Sequence, residues 1–279
     1  MTTSLTPAPA PAPAPAAVPT AQRGRGPRPA GAPRWVISAG TGVLALVLWA
    51  VVAAVVDDPI LPTPFEVGGA IASVVGSGAA LEHFTASITK IVAGFGLALL
   101  AGVPIGFLMG RSRFLTTYFS LPLFVLGNVP GLTYAVFGLV VFGVGATGPI
   151  VVSALVATPF VAINVAEGTR SVDGKLLAMC QAFDRGPSDV ARHLYVPALT
   201  SFVFAGVRYG FAMAWKVEAL TEVFGASNGV GFMIRRAYQE FQVADMLAWT
   251  ALFIVLMVLV ERALAFGEDR LFAWRKELR

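Results

Sequence analysis

Cysteine, histidine and charged residues are all scarce in this sequence. Its one cysteine, Cys180, has no partner for a disulfide within the chain, and a zinc site built from cysteines is excluded. The two histidines, His83 and His193, are far apart and form no metal-ligand cluster. Lysine, arginine, aspartate and glutamate together make up 13% of the chain, whereas they make up about 25% of an average soluble domain. The shortage of charge argues against a soluble fold.

A motif for binding nucleotide phosphates is also missing. No G-x-x-x-x-G-K-[ST] sequence occurs, so we expect that the chain does not hydrolyse ATP itself, holds no cofactor and is not an enzyme. The sequence pI is near 9.5, but the basic residues lie mostly in loops and at the termini. We therefore attribute the basic character to membrane topology and expect no nucleic-acid partner.

Apolar residues, by contrast, make up 56% of the chain, which is typical of a protein that crosses a membrane several times. A helix needs about 20 residues to cross a bilayer. Six apolar runs approach that length, near residues 35–56, 87–109, 118–142, 149–165, 202–224 and 244–266. The expected fold is all-α, with six transmembrane helices and a short amphipathic segment near residues 65–75.

The first 34 residues differ from the rest because proline and alanine alternate there without apolar periodicity. Such a composition cannot bury a core, so we expect a disordered tail over residues 1–34, not a signal peptide, and a transmembrane domain over residues 35–279. Lysine and arginine concentrate in the tail, at Arg111 to Arg113, between Arg170 and Arg192, and at the C-terminus. Since positive residues mark cytoplasmic loops, we predict a multi-pass protein of the cell membrane with both termini in the cytoplasm.

Between the fourth and fifth runs, residues 171–197 are polar enough to lie outside the membrane. Gly186 and Pro187 interrupt this segment, and Pro197 precedes the next run. The pattern predicts two short helices on the cytoplasmic face, separated from the fifth span at Pro197. An ordinary loop that lies on the lipid headgroups is the alternative. Apolar residues recur in the first of these helices at close to helical spacing: Val172, Leu176, Leu177, Met179 and Phe183.

Three ionisable residues, Lys216, Glu218 and Glu222, lie inside the fifth apolar run, where each charge is costly. The glutamates share one helix face, whereas Lys216 lies about 200° from Glu218. These groups either pair across helices or line a translocation pathway. For Lys216 we expect a pathway role, with an anionic substrate as its partner, or else a carboxylate from another helix, such as Glu218 or Glu222 of a second subunit. Lys90 and Arg208 are expected to extend to the membrane surface as structural residues.

The third apolar run is interrupted at Asn128, Pro130 and Gly131. Because proline removes a backbone donor, a freed carbonyl and nearby polar side chains can face a pathway, although proline kinks are also common in structural membrane helices. The predicted pathway residues are Asn128, Pro130, Thr133, Tyr134, Trp215, Lys216, Glu218 and Glu222. In the second run, close helix packing is predicted at Gly94, Gly96, Gly102 and Gly106.

Four stretches of the chain carry a family resemblance. They read ILPTPFEV, TKIVAGFGLALLAGVPIGFLMG, EGTRSVDGKLLAMCQAFDRGPSDVARHLYVPAL and FAGVRYGFAMAWKVEALTEVFGASNGVGFMI. Together they resemble the permease subunits of binding-protein-dependent ATP-binding-cassette (ABC) importers, and the closest likeness is to the nitrate, sulfonate and taurine branch. The resemblance extends over residues 60–275.

The resemblance implies that a second permease copy, in a homodimer, completes the pathway for a small anionic solute such as a sulfonate, taurine or nitrate. The other implied partners, besides membrane lipid, are two ABC ATPase subunits, which bind the ATP and magnesium, and an extracytoplasmic solute-binding protein. The resemblance also implies that the two-helix segment, residues 171–197, docks on the ATPase. The implied coupling residues are Val172, Asp173, Leu176, Leu177, Ala178, Cys180, Phe183, Asp184, Gly186 and Pro197.

The segment departs from the family motif at several positions. Ala178 stands where the family commonly has glutamate, Cys180 at its alanine, Asp184 at its glycine and Val196 at its leucine, whereas Pro197 is retained. The apolar neighbours of Cys180 predict a small buried residue. The competing hypothesis for the whole chain is a self-sufficient secondary transporter or channel. Such transporters often contain internal inverted repeats, and we find none in this sequence.

Overall fold

The computed structural model describes residues 34–56, Asp58 and residues 60–271. Every regular element within these residues is helical, so the all-α prediction is confirmed. The chain divides into two compact units, residues 1–47 and 48–279, and the packing described below is that of the second. Apart from Arg34, the predicted tail lies outside the described residues. The helices are α1 (Arg34–Val56), α2 (Pro64–Gly76), α3 (Ala79–Arg111), α4 (Arg113–Asn128), α5 (Gly131–Phe142), α6 (Thr147–Arg170), α7 (Gly174–Ala182), α8 (Pro187–Val190), α9 (Val196–Gly225), α10 (Val230–Gln239) and α11 (Val243–Leu271).

Five helical stretches of the described chain are long and apolar enough to cross a membrane. They are α1, α3, α6, α11 and the continuous stretch Pro187–Gly225, which contains α8 and α9. A sixth crossing exists only if α4 and α5 count as one span, because they are bent by 95° at a short break. The sequence predicted this interruption but not its angle. Since Pro130 cannot donate a helical hydrogen bond, the chain turns here and a new helix begins.

The predicted short segment near residues 65–75 is the helix α2, although Phe65 and Val75 on its exposed side are apolar. A capping box fixes its start, in which Thr63 Oγ1 accepts from the Glu66 N–H at 3.3 Å and a Glu66 carboxylate oxygen accepts from the Thr63 N–H at 2.7 Å. Pro64 occupies the first turn, where its missing N–H leaves no helical bond unmade. On the inner face of α2, Val74 joins an apolar cluster that contains Trp249 of α11.

The helix α6 packs against both α3 and α9 and is the most buried of the described spans. Gly94, Gly102 and Gly106 of α3 face it closely. A Cβ at Gly94 would lie 2.6 Å from a backbone carbonyl oxygen of α6, and one at Gly106 would overlap the Ala162 carbonyl oxygen. The prediction of close packing is confirmed at these three positions and wrong at Gly96, which has nothing within 4 Å of its Cβ position. Gly96 is about 200° around the helix from Gly94 and faces away from α6.

The second helix of the predicted two-helix segment is not separated from the fifth span. From α8 the chain continues through a π-helical turn, Ala191–Tyr195, directly into α9. Pro197 lies in the first turn of α9, so the predicted break at Pro197 is wrong. In a regular α-helix a proline ring clashes with the carbonyl group four residues earlier. The wider π turn accommodates the ring without ending the helix.

Candidate functional site

A buried ion pair links α3 to α9. Lys90 Nζ lies 2.8 Å from Glu222 Oε1 and donates to the Asn228 carbonyl oxygen at 2.7 Å. Lys90 is 4% exposed and Glu222 is 0% exposed, so each charge depends on the other for compensation. The expectation that Lys90 extends to the membrane surface is therefore wrong. A carboxylate inside the helix packing gives the ammonium a nearer partner than water or headgroups.

Neutral groups also hold the Glu222 carboxylate. The Ser87 hydroxyl lies 2.8 Å from both of its oxygens, and the Gly231 N–H donates to Oε2 at 2.9 Å. Ser87 Oγ in turn accepts from the Val230 N–H at 2.9 Å. We call Ser87, Lys90, Glu222, Asn228 and Gly231 the Glu222 cluster. It fastens the loop between α9 and α10 to the side of α3.

The backbone of this loop passes directly over the carboxylate at Gly229. Its φ is 112°, and a Cβ there would lie 2.5 Å from the Glu222 carboxyl carbon. Only glycine combines this conformation with so close an approach. The Gly229 N–H donates to His83 Nδ1 at 3.2 Å, and the His83 ring contacts Trp249 edge-on. His83, Ser87 and Lys90 therefore all serve to hold the loop, a role that the sequence analysis missed.

Glu218 lies one turn before Glu222 and is also 0% exposed. Ser153 Oγ of α6 donates to its Oε2 at 2.6 Å, whereas Oε1 has no hydrogen-bond partner among the described residues. On the same face, Trp215 stacks on Phe253 at 4.6 Å, and its Nε1 likewise has no partner in the described chain. The predicted shared face of the two glutamates is confirmed. Enclosed in this way, these side chains do not contact a passing solute in this conformation, and their pathway role stays a prediction.

Lys216 lies on the opposite, exposed side of α9, as its helical spacing predicts. It lines a cavity of about 460 Å³ between α9 and α11 together with Arg208, Glu261 and Glu268. Arg208 pairs with Glu268 at 3.4 Å, whereas Lys216 forms no ion pair with a described residue. Glu218 and Glu222 are both enclosed within their own chain, and the pairing of Lys216 with these glutamates of a second subunit stays a prediction.

The predicted pathway residues at the break between α4 and α5 have different environments. Asn128 is exposed, donates to the carbonyl four residues earlier at 2.8 Å and lines a second cavity of about 460 Å³, between α4 and α6. Pro130 and Thr133 are also exposed. Tyr134 is 6% exposed and donates to the Leu126 carbonyl oxygen at 2.7 Å. A carbonyl group beside the break is thus satisfied within the chain, and Asn128, Pro130 and Thr133 remain accessible.

Residues 173–190, which we call the hairpin, form the two short helices α7 and α8, of which α8 continues through the π turn into α9. Asp173 caps α7, as its side chain accepts from the Lys175 N–H at 2.9 Å. No residue of α7 is buried. Leu176, Met179 and Phe183 are 44%, 50% and 72% exposed. Apolar side chains this open indicate a surface that contacts another molecule.

The end of α7 explains one departure from the family motif. Asp184 has a left-handed φ of 51°, its N–H donates to the Gln181 carbonyl at 3.0 Å, and the Arg185 N–H donates to the Cys180 carbonyl at 3.0 Å. These bonds form a Schellman motif, in which glycine is preferred at the left-handed position. Aspartate adopts this conformation more readily than most residues. Cys180 itself is half-buried, so the expected burial is only partial.

The other implied coupling residues lie on both sides of the hairpin. Val172 and Leu177 are half-buried, whereas Ala178 is exposed. Gly186 precedes α8 as its N-terminal cap. Pro197 is exposed and lies beyond the π turn, within α9. The implied coupling residues therefore differ in exposure, and their role in coupling stays a prediction.

Comparison with known proteins identifies the family. Residues 102–273 match the model of the "binding-protein-dependent transport system inner membrane component" family. A putative aliphatic sulfonates transport permease protein of Bacillus subtilis (strain 168) is 29% identical over 232 residues, which cover 82% of this chain and 84% of that protein. The taurine transport system permease protein of Escherichia coli (strain K12) is 26% identical over 249 residues, which cover 87% and 90%.

Solved structures show the same fold. A chain of the MetNI methionine ABC transporter in an inward-facing conformation aligns with a TM-score of 0.55 at 20% identity, and the alignment covers 67% of this chain and 91% of that chain. The family match covers more than half of the sequence, from the last third of α3 to just beyond the end of α11. The chain therefore belongs to the family of membrane permease components of binding-protein-dependent transport systems.

Proposed function

We propose that this permease works as a homodimer that encloses the pathway for a small anionic solute such as a sulfonate, taurine or nitrate. Two separate ABC ATPase subunits bind the ATP and magnesium and drive the import, so this chain is not itself an enzyme. An extracytoplasmic solute-binding protein delivers the solute, and both termini lie in the cytoplasm. Family membership sets aside a self-sufficient secondary transporter or channel.

Two observations support an anionic solute, one from the relatives and one from the structure. Both relatives described above are named for sulfonates or taurine, and each of these compounds carries a sulfonate group. Lys216 is an exposed cation that lines a cavity and forms no ion pair with a described carboxylate. Import into proteoliposomes tests the proposal. Uptake of labelled taurine or an alkanesulfonate should require the ATPase, ATP and the binding protein, and import of uncharged solutes alone would contradict it.

The exposed apolar residues of the hairpin are the observation that supports our proposal of coupling to an ATPase. Burying a phenylalanine side chain stabilises a contact by about 1.5–3 kcal/mol, and Phe183 is the most exposed apolar residue of the hairpin at 72%. Two charged residues, Asp184 and Arg185, follow it directly in the sequence. An apolar anchor with a polar rim is the common arrangement at protein interfaces.

The variant Phe183→Asp tests this assignment. We expect its affinity for the ATPase subunit to fall at least about tenfold, because the lost burial is worth more than 1.4 kcal/mol. The measurement is co-purification with the ATPase, followed by titration in detergent. Phe241→Asp is the matched control, since Phe241 is 88% exposed and lies beyond the other end of α9. Equal ATPase affinity in the two variants would reject the hairpin as the docking element.

A further inference from the structure

A cavity of about 450 Å³ lies between the hairpin and the last turn of α3. Its polar lining consists of Arg111, Gln181, Arg185 and Tyr195, and its walls are otherwise apolar, with Phe107 among them. Phe107 packs edge-on against the buried Tyr195 ring at 5.3 Å. Rigid packing on one side and the end of α7 on the other thus shape the cavity.

The cations of this cavity lack carboxylate partners. Arg111 donates to Tyr195 Oη at 3.3 Å, which leaves its remaining N–H groups free of any described partner. The Arg185 guanidinium makes no hydrogen bond or ion pair with a described residue. Asp189 lines a neighbouring groove together with Arg185 but forms no ion pair with it in the described chain. Both arginines are exposed, so water solvates their guanidinium groups in the absence of a ligand, and an anion that contacts both gains the attraction of two like charges on one cavity.

Two other cavities of the described chain contrast with this one. In the cavity between α9 and α11, Glu261 and Glu268 accompany the two cations. In the cavity between α4 and α6, Glu167 accompanies Arg170. No carboxylate is among the described residues that line the cavity beneath the hairpin. Its cations are therefore available to an anion from outside the chain.

We propose that this cavity binds an oxyanion group, a phosphate or a sulfonate, between Arg111 and Arg185. A guanidinium group presents paired N–H donors that match two oxygens of such an anion, and the Gln181 amide can add a neutral donor. The apolar walls accept an attached hydrocarbon group. The site lies at the end of a membrane helix, so the oxyanion comes either from the headgroup of an anionic lipid or from a free ion in solution.

The bound oxyanion would join two elements, because Arg111 is the last residue of α3 and Arg185 belongs to the hairpin. Occupancy therefore holds the hairpin against the membrane domain. Its consequence for transport rests on the proposed function, since it alters coupling only if the hairpin docks on the ATPase. Binding itself is independent of that function and is measured without the ATPase.

The test uses the full chain in phosphatidylcholine nanodiscs and measures its melting temperature. One arm titrates sodium sulfate against sodium chloride at matched ionic strength, and the other replaces part of the lipid with phosphatidylglycerol. We expect at least one arm to raise the melting temperature. Stabilisation by sulfate identifies a free oxyanion as sufficient, and stabilisation by phosphatidylglycerol alone identifies the lipid headgroup.

The variant Arg185→Gln should bind the effective anion at least about tenfold more weakly, because it loses one charge-assisted hydrogen-bonding group. Arg185→Gln should leave folding unaffected, because the guanidinium of Arg185 has no described partner. Arg111→Gln should weaken anion binding as well. Arg192→Gln is the matched control: Arg192 is exposed, belongs to the adjoining π turn and does not line the cavity. The proposal is overturned if neither anion stabilises the protein, if Arg185→Gln responds like the unaltered chain, or if Arg192→Gln loses the response equally.

Discussion

Lys90 and Lys216 are both lysines within apolar helices, yet their environments are opposite. Lys90 is enclosed and paired with Glu222 at 2.8 Å, whereas Lys216 is exposed on a cavity and pairs with no described residue. The first arrangement fixes structure, because breaking a buried pair strands a charge. The second leaves a cation available to other molecules. At the scale of single residues, the partner within contact distance separates structural charges from candidate functional ones.

The buried pair should show strong energetic coupling. We expect Glu222→Gln and Lys90→Met each to destabilise the protein by about 3–5 kcal/mol, since each leaves a buried charge without its partner. The double variant should lose much less than the sum of the two. Thermal unfolding of the purified permease in detergent measures the double-mutant cycle.

The exposed pair Arg208 and Glu268 is the control for this cycle. It lies at 3.4 Å with side chains 55% and 33% exposed, and exposed pairs contribute only about 0–1 kcal/mol. Its cycle should therefore show little coupling. Additive losses at Lys90 and Glu222 would contradict the structural role of the buried pair.

The sequence could predict the helix face on which Glu222 lies but not the residues that surround it in the Glu222 cluster. Helical periodicity placed Glu218 and Glu222 on one face, because the side chains of a helix repeat every 3.6 residues. Their partners could not be predicted, since Lys90 is 132 residues away along the chain and only tertiary packing brings it close. One signal was present: Ser87 and Lys90 lie three residues apart, hence on one face, in an otherwise apolar run.

At the scale of the helix, the glycines of α3 let its backbone approach the backbone of α6 closely. Gly106→Ala should destabilise the protein by about 1–3 kcal/mol, because the added methyl group overlaps the Ala162 carbonyl. Gly96→Ala is the control on the same helix, and it should be neutral or stabilising by about 0.5–1 kcal/mol since its Cβ meets open space. Melting temperatures of the two variants measure the difference. Equal melting temperatures would contradict the packing of α3 on α6.

Proline shows why the boundaries of elements were harder to predict than their existence. Breaks were expected at both Pro130 and Pro197, and the structure has a break only at Pro130. At Pro197 the preceding π turn relieves the clash of the ring, and the helix continues. The pattern of apolar runs predicted five spans as continuous helices, because each run must bury or face lipid along its whole length. Local backbone adjustments of this kind leave no trace in hydrophobic periodicity.

At the scale of the whole transporter, α9 joins the two features that fix this domain's geometry. It follows the hairpin at Val196 and contains Glu222 of the Glu222 cluster, and these positions are about 39 Å apart along a helix that rises about 1.5 Å per residue. A displacement of the hairpin by an ATPase would therefore be transmitted along one continuous helix. Lys216 lies on this helix between the two. It is placed to move with the hairpin.

The variant Lys216→Met tests whether this cation serves the solute. Because Lys216 has no partner among the described residues, its removal should leave the melting temperature and ATPase binding unchanged. Uptake of an anionic solute should fall about tenfold, the effect of losing about 1.4 kcal/mol of attraction. Lys216→Arg keeps the charge and should retain most of the uptake, which separates charge from side-chain shape. Proteoliposome uptake and thermal unfolding are measured on the same preparations. A lower melting temperature with lost ATPase binding would show that Lys216 is structural, and unchanged uptake would place it outside the pathway.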